Sequence, residues 1–96
     1  MTVRWSNTAL NHLDAIYAYI ANDSPEYATR TVDRLTRRSE QIAAMPQSGR
    51  RVPEFEMADL REVIEGSYRI IDLIAADHID VLAVVHGARD LHRLDV

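Results

Sequence analysis

Residues 60–89, LREVIEGSYRIIDLIAADHIDVLAVVHGAR, constrain the fold more than any other stretch of the chain. Three apolar, β-branched runs follow one another there: Leu60–Ile64, Tyr68–Ile74 and Ile79–His86. The breaks between them, Glu65-Gly66-Ser67 and Ala75-Ala76-Asp77-His78, are short enough only for antiparallel hairpins. In the last run Ile79, Val81, Ala83 and Val85 alternate with Asp80, Leu82, Val84 and His86. Both sets are largely apolar, which predicts a central strand covered on both sides, or on one side plus a partner.

What can cover such a meander lies upstream. Thr2–Trp5 is short and β-prone and reads as a first strand. Ser6 or Asn7 then caps a helix whose apolar stripe is Leu10, Leu13, Ile16, Tyr17 and Ile20, with Asn11, Asp14 and Ala18 opposite. That helix is expected to end near Asn22-Asp23. Ser24-Pro25 restarts the helix with a capping hydroxyl and a proline whose missing N–H costs nothing at the first position, and Glu26 suits the dipole there. The second helix should run to Ala44 or Met45, before Pro46, burying Ala28, Thr31, Val32, Leu35 and Ile42, with Ser39 a polar interruption. Arg30, Arg34, Arg37 and Arg38 fall on a different face. The short break makes the two helices an antiparallel hairpin. Residues 46–51 form a turn, and Val52–Asp59 is a connection. The expected fold is α+β: an N-terminal strand, a helical hairpin and a three-stranded antiparallel meander in one small sheet. The first strand joins as an edge or beside the meander. Ninety-six residues allow one domain, spanning 1–96.

Composition narrows the function classes. At 47% hydrophobic and 27% charged the chain is of globular type. No apolar run approaches the roughly 20 residues of a membrane span, and the N-terminus lacks the apolar core of a secretory signal, so a cytoplasmic protein is expected. All eleven basic residues are arginine, so no lysine can act as base, Schiff-base former or phosphate ligand. A net charge of −4 argues against broad or sequence-specific nucleic-acid binding, although a local basic patch is compatible with it. His12, His78, His86 and His92 show no metal-ligand spacing on a common helix face. Phosphate loops, nucleophile elbows and paired catalytic carboxylates are missing from the sequence, so neither metal nor cofactor is expected.

Four short motifs occur in order: Pro46-Gln47-Ser48-Gly49-Arg50 after the second helix, Leu60-Arg61-Glu62, Tyr68-Arg69-Ile70, and Val84-Val85-His86-Gly87-Ala88-Arg89 at the end of the last strand. With the β-α-α-β-β-β order they resemble the ParE/RelE superfamily of bacterial toxins over nearly the whole chain. The resemblance implies a type II toxin encoded beside an antitoxin whose C-terminal segment wraps it, in a heterotetramer or larger. A ParE-like toxin would be a non-enzymatic inhibitor of DNA gyrase, of the plasmid-stabilization kind, neutralised by a ParD-like antitoxin. A RelE-like one would be a ribosome-dependent mRNA endonuclease, drawing on lysines, arginines and a C-terminal tyrosine. Here there is no lysine, and no tyrosine follows Tyr68. His86 or His92 would have to carry protons, with Arg61, Arg69 or Arg89 meeting phosphate. The ParE-like reading is therefore favoured, with the endonuclease and a non-toxic antitoxin-binding module as alternatives.

The candidate toxicity surface is Arg61, Arg69, His86 and Arg89. Arg61 and Arg69, on neighbouring strands, are expected either to share a face or to form ion pairs with Glu62, Glu65 or Asp72. Candidate antitoxin contacts are Tyr19, which falls off the apolar stripe of its helix, and the Arg30/Arg34/Arg37/Arg38 face, suited to an acidic partner.

Overall fold

The computed structural model describes residues 1–88. β1 (Thr2–Trp5) leads into α1 (Asn7–Ala21) and α2 (Pro25–Ala44), and a 3₁₀ turn over Pro46–Ser48 follows. The remaining strands are β2 (Arg50–Arg51), β3 (Leu60–Glu65), β4 (Tyr68–Ile74) and β5 (His78–His86). Ser6 caps α1 and Ser24 caps α2, each accepting an N–H of the first turn, from Ala9 and Tyr27 respectively. The β3–β4 turn is the two residues Gly66-Ser67, and Gly66 takes a φ of +58°, open to glycine at little cost.

The described strands form one sheet in the order β1-β5-β4-β3-β2. The meander is antiparallel as expected, and β1 is an edge strand that runs parallel to β5, pairing Thr2 with His78 through Trp5 with Val81. The expected four strands become five. Arg50-Arg51, read as part of a turn, pairs antiparallel with Glu62 and Arg61, a contact too short to leave any periodicity in sequence.

One face of the sheet is covered by the helical hairpin. Ala9, Leu35, Ile42, Val63, Ile70, Ile79, Val81 and Val84 are buried there, with Val3, Trp5, Leu13 and Ile16 packed around them. The α1 stripe lies rotated from its expected position. Leu10 and Tyr17 are 44% and 40% exposed on its flank, because Ala9 supplies the close approach to the sheet. On α2, Ser39 replaces Val32 in the fully buried set and satisfies its hydroxyl on the Thr36 carbonyl at 2.7 Å.

The strict alternation read for β5 fails in the middle of the strand. Ile71 pairs with Ala83 but Asp72 with Val81, leaving Leu82 as an extra residue in a β-bulge. Ile79, Val81 and Val84 therefore face the helices, whereas Leu82, Ala83 and Val85 pack on the opposite, open face. One inserted residue changes which side chains form the second face.

β1 stops at Trp5, and side chains take over along the β5 edge it leaves. The Ser6 N–H donates to the Val81 carbonyl at 3.0 Å, and the Ser6 hydroxyl donates to the Leu82 carbonyl at 3.2 Å. His12 Nδ1 accepts the Val84 N–H at 3.2 Å. Ser6 thus starts α1 and ties it to the bulge. Ser6→Ala is expected to cost about 1–2 kcal/mol, since it removes both a cap and a cross-sheet bond. Urea denaturation of the two proteins measures this, and a loss below about 0.3 kcal/mol would contradict the double role.

Candidate functional site

The open face of the sheet carries an apolar groove. Loop 52–59, read only as a connection, crosses this face. Its Val52 and Phe55 pack on Leu60, Ile71, Ala83 and Val85. Between loop and strands lies a cavity of about 210 Å³ lined by Phe55, Met57, Leu60, Ile71, Leu73, Leu82 and Ala83. Among the described residues no polar side chain lines it, and Met57 at its rim is 50% exposed. The bulge makes this possible by turning both Leu82 and Ala83 toward the groove.

An ion-pair network adjoins the groove on the same face. The Glu62 side chain is completely buried and accepts from Arg69 Nε at 2.6 Å and from Arg50 Nε at 2.5 Å. Arg69, itself buried, also grips Glu54 of the crossing loop with two N–H···O bonds of 2.8 Å. Those bonds to Glu54, with the bonds and charge of Glu62, raise the guanidinium above its ordinary pKa against the opposing cost of burial. Gly49 lets the turn approach, since a Cβ there would stand 2.9 Å from the Glu62 carbonyl oxygen. Arg69 is therefore a clamp between loop and sheet, and it is not available on the surface expected for it.

Arg61 and Arg69 do not share a face. Arg61 pairs in register with Asp72 and Arg69 with Ile64, and the period-2 alternation of strands sends them to opposite sides. Arg61 donates to the carbonyls of Ala58 and Gly49, closing the ends of loop 52–59 from the helix side. His86 is exposed at the end of β5, edge-on to the Tyr68 ring at 6.2 Å, and accepts the Ala88 N–H on Nδ1. Arg89 lies outside the described residues. The structure does not gather Arg61, Arg69 and His86 at one point.

The other candidates lie on the helical layer. Tyr19 is 79% exposed on α1, as its place off the stripe predicts. Arg34, Arg37 and Arg38 line a shallow concavity of about 180 Å³ with Gln41 and with Glu65 from the end of β3. Arg30 extends the same stripe toward the start of α2. Among the described residues no group of three or more His, Cys, Asp or Glu side chains is placed to hold a metal ion, and no helix is long and apolar enough to cross a membrane.

Asp72, weighed from sequence only as an ion-pair partner, is fully buried on the helix-facing side of β4, and neither carboxylate oxygen has a hydrogen-bond partner among the described residues. Burial pushes its pKa up to about 7, with the Arg61 charge working in the opposite direction.

Comparison with known proteins agrees with this architecture. Residues 3–91 match the family model described as the ParE toxin of the type II toxin-antitoxin system, parDE. The chain is 35% identical over 90 residues to "Putative toxin Y4kP" of Sinorhizobium fredii, covering 88% of this chain and 86% of that protein. In fold it is similar to a chain of a chromosomal ParDE system from P. aeruginosa, with a TM-score of 0.74 at 22% identity over 90% of this chain and 95% of that one. A chain of the RelBE2 toxin-antitoxin complex from Mycobacterium tuberculosis gives 0.62 at 22% identity, covering 92% of each. A YoeB/ParE toxin from Agrobacterium tumefaciens gives 0.62 at 13%, covering 90% of this chain and 98% of that one. With a matched family model over nearly its whole length and the RelE/ParE-like sheet and helical hairpin, the chain belongs to the ParE family of type II toxins.

Proposed function

We propose that this toxin inhibits growth by poisoning DNA gyrase without itself cleaving nucleic acid, and that a ParD-like antitoxin neutralises it in the cytoplasm. The observation that carries this reading is the character of the open face. It offers an apolar groove beside a network of charges closed on one another, which is a surface for binding. A nuclease needs cations and a proton carrier converging on one phosphate. Among the described residues, Arg69 is committed to Glu54 and Glu62, Arg61 turns to the other side of the sheet, and His86 pairs with Tyr68 on the face away from Arg69.

Regulated expression of the chain, with gyrase cleavage and mRNA integrity followed together, tests the target. Accumulated gyrase-cleaved DNA with intact mRNA is the expected result. Codon-biased mRNA cuts with normal gyrase would replace this reading by the endonuclease. Normal growth with neither response would leave an antitoxin-binding module.

The groove is the proposed seat of the antitoxin, taking the apolar side of a helix as such grooves do. Tyr19 on α1 is a second proposed contact as the antitoxin wraps the chain. Met57→Glu and Leu82→Glu place a charge at the rim and in the wall. Each is expected to weaken binding of the antitoxin encoded beside this chain by roughly 30-fold or more, the loss of one buried anchor. Titration calorimetry reads this directly, and unchanged affinity in both variants would move the antitoxin elsewhere.

A further inference from the structure

The arginine stripe of α2 is left unused by the groove, the ion-pair network and the core. On a helix of 3.6 residues per turn, Arg30, Arg34, Arg37 and Arg38 share one flank with the exposed Tyr27. The acids Glu26, Asp33 and Glu40 lie along the adjoining crown. Each is within three or four residues of an arginine, yet none of the four arginines forms an ion pair among the described residues. Their hydrogen bonds are slight: Arg37 Nε donates to the Asp33 carbonyl and Arg38 Nη1 to the Gln41 amide oxygen, both at 3.4 Å. A chain of net charge −4 thus gathers four arginines, none in a close ion pair among the described residues, on one side of one helix.

We propose that this flank is a docking surface for the phosphodiester backbone of double-stranded DNA. Eight residues of helix separate Arg30 from Arg38, about 12 Å, over which one DNA strand presents roughly three or four phosphates. The guanidinium fork suits phosphate oxygens, and the polar concavity of Arg34, Arg37, Arg38 and Gln41 seats one of them. Glu65 at its edge limits how far an anion enters. The chemistry separates this partner from an acidic peptide. A peptide needs apolar anchors to bind stably, and among the described residues this flank offers only Tyr27 and, at the end of the helix, Met45, whereas backbone docking needs little beyond cations. The apolar groove for a peptide lies on the opposite face of the sheet. Such docking carries no sequence preference. It goes beyond gyrase recognition, because it gives the toxin a hold of its own on the DNA that its target handles.

The test uses the purified full chain and a fluorescent 20-base-pair duplex, with no gyrase present, so its outcome is independent of the target assigned above. Anisotropy titrations between 50 and 200 mM salt should show log K falling against log salt with a slope of about −3 to −4. The double variant R34E/R38E should abolish binding, R34Q/R38Q should reduce the slope by about 2, and R4Q, on the opposite face of the sheet, should leave it unchanged. Arg4 and Arg34 are exposed and Arg38 is half-buried, and matching circular dichroism spectra show that the fold is kept. No binding at 50 mM salt overturns the proposal, as does binding that R34E/R38E leaves intact. Tighter binding of a matched RNA duplex would overturn the DNA assignment. So would a loss of antitoxin affinity in R34E/R38E with DNA binding unchanged, which would give the flank to an acidic peptide.

Discussion

Arg69→Ala is expected to lower the unfolding free energy by about 3–5 kcal/mol, the largest effect of any single exchange on the open face. The guanidinium reaches both Glu54 in the loop and Glu62 in β3. Without it the Glu62 carboxylate stays fully buried with only Arg50 beside it, and Arg50 is 65% exposed and holds it from the rim. Glu54 loses its two bonds from Arg69 at the same time, so loop 52–59 is held less tightly and the wall of the groove is weakened. Urea denaturation gives the size of the effect. A triple variant, E54Q/E62L/R69M, separates broken pairing from lost packing. Removing these three charges together should recover most of the loss, because Glu62 and Arg69 are costly to bury and each alone would leave the other uncompensated. If Arg69→Ala costs less than about 1 kcal/mol, the network is solvated and the loop is held by Val52 and Phe55 instead.

Asp72 gives the second large effect, and its sign depends on pH. Its folded pKa of about 7 stands above the ordinary aspartate value of 3.8, so the folded state favours the neutral acid. The stability associated with this group is fully present below about pH 3.8 and is lost as pH rises through about 7. The difference corresponds to about 4 kcal/mol at full expression, less where the surroundings relax around the charge. Asp72→Asn removes the titration while keeping the shape. The variant should be close to wild type in stability at pH 4 and more stable by about 2–4 kcal/mol at pH 8. Paired denaturation curves at the two pH values check it. A stability difference that does not change with pH would mean that Asp72 remains ionised beside Arg61. Whatever the result, this carboxylate lies under the helices and apart from the groove, so antitoxin binding at pH 6 should be unaffected by the exchange.

Much of this protein was legible in the amino-acid sequence because its strongest signals are local. Ser24-Pro25 marks the start of α2 through a hydroxyl and a ring that act within one turn. Gly66 permits the tight turn that sets the β3–β4 register. The helical spacing of Leu35 and Ile42 and the β-branched runs of the meander identify the buried faces, and the ordered motifs point to the toxin family. Even the exposure of Tyr19 and the separation of the α2 arginines from the core follow from helical period alone.

The tertiary structure decided what depends on pairing between distant segments. The bulge at Leu82 cannot be read from an alternation of apolar residues, since every residue near it is apolar, yet it determines which of them line the groove. Arg61 and Arg69 differ in fate only through strand register, which sends one to the loop carbonyls and the other into contact with two glutamates. Loop 52–59 has no period to announce its place, and only its packing across the open face shows that it builds the groove wall. Periodicity and capping act over three or four residues, whereas burial and ion pairing are settled by neighbours that the chain brings together from far apart.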